Sequence, residues 1–134
     1  MIGRAAPLAA LITLTCALCP GTGTSGRGAA LAQADVPGAY PAAKCATFWL
    51  GWTDAARRLR YLREDPGDAV LAENFRKAAL DEGADAAELD AYLRQDRRNM
   101  RRMIEAAIFG DRSSSDIQER LMKTCDDYAR AHGF

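Results

Sequence analysis

The sequence predicts an all-α fold, a small irregular four-helix bundle with one disulfide, and three observations carry that expectation. Apolar residues recur at three- and four-residue spacing in four separate stretches, which is the helical period. Residues that start and stop helices bracket those stretches. No stretch alternates apolar and polar residues as a half-buried strand would, and no internal repeat is found.

The first helix is expected from Pro41, well suited to a first turn, to about Glu64, where Asp65-Pro66-Gly67 stops it. Cys45, Phe48, Trp49, Trp52, Ala56, Leu59 and Leu62 then fall on one stripe. Asp68 can cap a shorter second helix that buries Leu71, Phe75, Ala78 and Ala79 and ends near Glu82, before Gly83. Asp85 and Glu88 stand in a capping-box relation and open a long third helix that reaches Phe109. Its apolar face is Leu89, Leu93, Met100, Met103, Ile104, Ala107 and Ile108. Ser115 with Gln118 repeats the pattern for a fourth helix, with Ile117, Leu121, Cys125, Tyr128 and Ala129 on one side and Gly133 at its end.

Ahead of these helices, Arg4 precedes an Ala/Leu/Thr-rich run, Ala5 to Leu18, too short to cross a bilayer as a helix. Residues 1–32 therefore read as a signal peptide, with Ala30 and Ala32 as the small residues before a cleavage site and Gln33 as the mature start. Residues 33–40 are expected as a flexible leader, and 41–134 as the helical domain. Lipid attachment at Cys16 or Cys19 is disfavoured, because no small residue stands directly before either cysteine. The expected location is the periplasm.

At 134 residues and 14.5 kDa, with 49% hydrophobic and 27% charged residues, the chain can build one modest core. Removing residues 1–32 takes away two arginines and no acid, so sixteen basic residues face eighteen acidic ones and the charge is −2. A near-neutral chain has no global reason to bind nucleic acid. Fifteen of the basic residues are Arg and three are Lys, a bias that a GC-rich genome explains without reference to function.

The same removal leaves two cysteines, Cys45 and Cys125, in a compartment where disulfides persist. Pairing them joins the first and last helices. Closing that long span is worth about 4.5 kcal/mol in the chain-entropy picture, an upper value that rivals the net stability of a small domain.

The inventory for catalysis is thin. His132 is the one histidine and lies near the C-terminus, so Ser-His and Cys-His pairs and the usual zinc sets lack material. The acidic stretch Asp81 to Glu88 lacks the ligand spacing of a calcium loop, and Asp126-Asp127 reads as a solvated face. No catalytic, cofactor-binding or metal residue is assigned, and no cofactor is expected.

The most specific polar feature is Arg94, Arg97, Arg98, Arg101 and Arg102, which a helix gathers within a sector of about 140°. Asp90 and Glu105 sit four residues from Arg94 and Arg101 and can pair part of this charge. The stripe is a solvated helix face or a surface for an anionic partner, either an acidic protein surface or lipid headgroups. Asp96 falls on the apolar side and needs a partner, which Arg57, Arg58, Arg60 or Arg63 can supply. Phe48-Trp49-Leu50-Gly51-Trp52 holds more apolar surface than one helix face can hide, so most is core and the remainder a contact surface.

With Lys44-Cys45-Ala46 early in the first helix and Cys125-Asp126-Asp127-Tyr128 late in the last, the chain resembles the small, largely uncharacterised periplasmic helical proteins of Gram-negative bacteria. The likeness spans about residues 41 to 131 and rests on layout, so it implies location and fold class. Acid-stress chaperones and toxin-neutralising immunity proteins share that layout. The expected function is a non-enzymatic envelope protein that binds another protein. Alternatives are such a chaperone, such an immunity protein, a peripheral binder of anionic lipid, and, less favoured, an enzyme using carboxylates. The sequence sets no oligomeric state.

Overall fold

A computed structural model describes residues 39–134. The expected signal peptide, 1–32, and residues 33–38 lie outside the described residues. These form four helices, α1 (Ala42–Arg58), α2 (Pro66–Asp81), α3 (Ala86–Ile108) and α4 (Arg112–His132), with no strand among them. The fold is the expected irregular bundle. At 23 residues α3 is about 35 Å long and outruns α2, which has 16.

Packing begins two residues inside the stretch read as leader. Ala39 is fully buried, and its carbonyl accepts a bond from the Ala43 amide at 2.8 Å. Helix α1 stops at Arg58 rather than Glu64. Asp65-Pro66-Gly67, expected as a stop signal, is instead the start of α2: Asp65 is the N-cap, its carboxylate accepting from the Gly67 amide at 2.8 Å, and Pro66 opens the first turn. Proline forces the residue before it to be extended, which suits Asp65 to the capping position. Asp68, expected as the cap, is buried in the first turn of α2.

Asp85 does cap α3, accepting from the Ala87 and Glu88 amides at 2.9 and 3.0 Å. Helix α4 starts earlier than Ser115. Asp111 caps it by accepting from the Ser114 amide, and the Ser114 side chain, then that amide, hold the Asp111 carboxyl below the usual carboxylate range. Gly110, at φ +93°, reverses the chain in the left-handed conformation that other residues resist, which places Asp111 at once in capping position.

Helix α1 is the hub and packs against each of the other three, while α3 also packs on α4. Its sequence suits that place, because Ala42, Ala43, Ala46, Gly51, Ala55 and Ala56 are all buried and small, so neighbours approach from several sides. Phe48, Phe75, Leu89 and Ile104 are the large fully buried side chains. Trp49, Leu50 and Trp52 pack partly buried against this core, whereas Tyr61 is exposed. The Cys45–Cys125 disulfide is present and buried, tying α1 to α4 with Cα atoms 5.5 Å apart. No helix among the described residues is long and apolar enough to cross a membrane.

Candidate functional site

Helices α1 and α3 run in the same direction. Lys44 and Thr47 in the first half of α1 meet Asp96, and Arg58 at its end meets Glu105. They come close at Gly51, where an added Cβ would lie 2.6 Å from the Met100 Cβ and 2.8 Å from the Arg101 amide nitrogen. The row Thr47, Gly51, Asp54, Arg58 is therefore the α1 edge that faces α3, and the arginines of α3 stand beside it.

Beside that crossing the surface sinks into a depression of about 420 Å³ lined by Asp54, Arg94, Arg97, Arg98 and Arg101. Four of the five arginines singled out from sequence thus share one site, while Arg102 is exposed outside it. Their electrostatic states differ. Arg97 donates from Nε and Nη2 to the two oxygens of Asp54, a bidentate pair across the helix interface. Hydrogen bonding to Asp54 raises the basicity of the Arg97 guanidinium.

Arg101 lies 3.7 Å from Glu105, which also sits 3.5 Å from Arg58, at charge-contact rather than hydrogen-bond distance. The expected local partner of Arg94 is largely taken. Asp90 binds Arg76 of α2 at 2.9 and 3.3 Å, and that bond, with a smaller contribution from Arg94, holds the Asp90 carboxyl below its usual range. Arg98 and Arg102 are exposed and enter no ion pair among the described residues. Local positive charge thus exceeds local negative charge on this face.

Asp96 is buried as expected, but its partner is not an arginine of α1. Lys44 Nζ lies 2.9 Å from Asp96 Oδ2, with Thr47 Oγ1 at 3.1 Å and the Tyr92 hydroxyl donating at 3.2 Å. Parallel helices explain the correction. Arg57 and Arg58 stand level with Glu105, nine residues and about 13.5 Å along α3 from Asp96, while Lys44 stands beside it. Lys44 keeps only 14% side-chain exposure, so the pair closes one end of the α1–α3 interface and offers little to a ligand.

The C-terminus is anchored. His132 is the last residue of α4, its ring stacked on Tyr128 at 3.8 Å. Its Nδ1 sits 2.9 Å from the Tyr128 carbonyl, an acceptor, so this nitrogen carries the proton. The Tyr128 hydroxyl donates to Glu82 at 2.6 Å, and Phe134 packs edge-on to Phe75 at 5.0 Å. Burial, then the Glu82 carboxylate, hold the Tyr128 hydroxyl well above the ordinary tyrosine range. Among the described residues no three His, Cys, Asp or Glu side chains gather to hold a metal ion.

Asp54 and Gly51 are the residues that sequence reasoning missed. Their signal is the shared row with Thr47 and Arg58, in which a glycine sits mid-helix among polar side chains: helices interrupt themselves so where another backbone comes close. Comparison with protein-family models, characterised proteins and solved structures finds no match to this chain, so the chemistry of the depression rests on its own geometry.

Proposed function

We propose that this chain is a non-enzymatic interaction protein of the cell envelope that binds another protein through the arginine-lined depression between α1 and α3. One observation carries the proposal. In a chain of zero formal net charge, Arg94, Arg97, Arg98 and Arg101 converge on one depression whose only acidic lining residue among the described residues, Asp54, is already engaged. Guanidinium forks suit bidentate recognition of carboxylates, and a concentration of one sign of charge steers and orients an oppositely charged partner. The buried disulfide supports an oxidising compartment, in keeping with the reading of residues 1–32 as an export signal.

The test compares two anionic probes on the oxidised full chain: a fluorescent Glu/Asp-rich peptide, read by anisotropy, and phosphatidylglycerol vesicles, read by co-sedimentation. Salt-sensitive peptide binding that weakens about tenfold, or 1.4 kcal/mol, in the Arg94→Ser/Arg98→Ser/Arg101→Ser variant is the expected result. Vesicle binding without peptide binding would replace this reading with a peripheral lipid binder. Equal peptide binding by the variant removes the depression from the function.

A further inference from the structure

The depression holds a carboxylate of its own. Asp54 belongs to α1 and Arg97 to α3, and the two side chains meet as a bidentate pair with 25% and 37% exposure, open to the depression that both line. The buried Lys44–Asp96 pair differs, being closed off at 14% and 7%. Arg76–Asp90 differs as well, since neither residue lines this depression. Asp54 places a carboxylate among several guanidinium groups at a site that solvent, and therefore a ligand, can reach.

A guanidinium matches a carboxylate in two parallel bonds along either of two edges, Nε–Nη2 or Nη1–Nη2. Asp54 fills the Nε–Nη2 edge of Arg97, the position that a ligand carboxylate arriving on that edge would take. Around it Arg94, Arg98 and Arg101 flank Arg97 on α3, and Arg98 has no carboxylate partner among the described residues. From Arg94 to Arg101 the helix rises about 10.5 Å, the reach of roughly three extended residues at about 3.3 Å each. That row fits neighbouring carboxylates on an extended peptide better than one compact anion.

We propose that the depression binds an acidic, extended peptide segment of a partner protein, and that Asp54 is an internal competitor which the incoming carboxylate displaces from Arg97. This rests on the function proposed above. In the resting protein the Nε–Nη2 edge of Arg97 is masked and the other arginines provide the first attraction. Exchange of one carboxylate for another at Arg97 keeps the number of ion pairs nearly constant, while the released Asp54 repels the ligand that replaced it. Asp54 therefore limits affinity, and its loss unmasks a fourth guanidinium.

The test uses the oxidised full chain and a fluorescent Glu/Asp-rich peptide. Asp54→Asn is expected to tighten binding about tenfold at low salt, and the double variant Asp54→Asn/Arg97→Gln to lose that gain. An Asp54→Asn chain that binds no tighter than wild type overturns the proposal, as does a gain that survives the loss of Arg97, which would reflect net charge alone. If Asp54→Asn fails to fold by circular dichroism, the Arg97 Nε–H resonance of the wild-type chain decides. It should shift as peptide is added, and an unmoved resonance at saturation overturns the exchange. The two proposals fail separately: if the triple serine variant binds like wild type the depression is not the site, whereas its loss of binding with no gain from Asp54→Asn removes only the competitor.

Discussion

Gly51 of α1 sits so close to Met100 of α3 that a single added methyl group would lie 2.6 Å from the Met100 Cβ. Helix propensity alone favours alanine over glycine there by about 1 kcal/mol. Overpacking opposes it more strongly, because backbone as well as side chain stands in the way, the Arg101 amide nitrogen being 2.8 Å off. Gly51→Ala should therefore destabilise the protein by about 1–3 kcal/mol in a urea melt. A stabilised variant would show that the helices cross elsewhere.

Asp96 and Lys44 should respond unequally to truncation. Removing Asp96 leaves Lys44 at 14% side-chain exposure without its counter-charge, and removes the carboxylate to which the Tyr92 hydroxyl donates. A loss of about 3 kcal/mol is expected for Asp96→Ala. Lys44→Met should cost less, since the Tyr92 hydroxyl still donates to the carboxylate. Equal melts for Asp96→Ala and wild type would refute the buried pair.

Reduction of Cys45–Cys125 frees a span of 80 residues in the unfolded chain. The chain-entropy gain lost is up to about 4.5 kcal/mol, a large share of what a domain of this size has. Dithiothreitol, or Cys45→Ser with Cys125→Ser, should lower the melting temperature by more than 10 °C. An unchanged melt after complete thiol titration would take the disulfide out of the stability account.

Acid should act late. Asp90, Asp111 and Asp127 are held below the usual carboxylate range by hydrogen bonds to Arg76, to Ser114, and to Lys123 and Arg130. Their folded values lie under the unfolded ones, so their stabilisation is present above about pH 4 and lost as pH falls through the folded values. Asp68 has the opposite sign. Burial, then Asp65, push its carboxyl up, so its charged form costs stability as pH rises through the folded value. Asp68→Asn should raise the melting temperature at pH 7, with the difference closing by pH 3. The whole chain should remain folded and silent to apolar dye at pH 5, and dye binding there would favour the acid-stress chaperone reading.

Tyr128 gives the alkaline counterpart. Its raised ionisation means the folded state keeps a proton that the unfolded state releases near pH 10, so stability falls as pH rises past that point. Tyr128→Phe should reduce that alkaline loss while lowering stability at pH 7, because Glu82 loses its 2.6 Å donor. A variant with the wild-type alkaline profile would show that Tyr128 does not govern it.

Much of the architecture was legible in the chain itself. Helix number, the long third helix, the Asp85 cap and the pairing of Cys45 with Cys125 follow from periods of three and four, from a few capping residues and from cysteine arithmetic, all of which act over short stretches or by elimination. The helix ends were less legible, because Asp65 and Asp111 compete with Asp68 and Ser115 for the same role and only the path of the turn selects between them. For the candidate site, the clustering of Arg94, Arg97, Arg98 and Arg101 was readable from helical geometry on one element.

What faces those arginines was decided by tertiary structure. The parallel run of α1 and α3 sets Asp54 against Arg97, gives Asp96 to Lys44 rather than to Arg57 or Arg58, and brings Gly51 against Met100. A helix determines by itself which of its side chains share a face. Which face of a second helix it meets, and at what height, depends on how the whole core closes, and that is a property of no single segment.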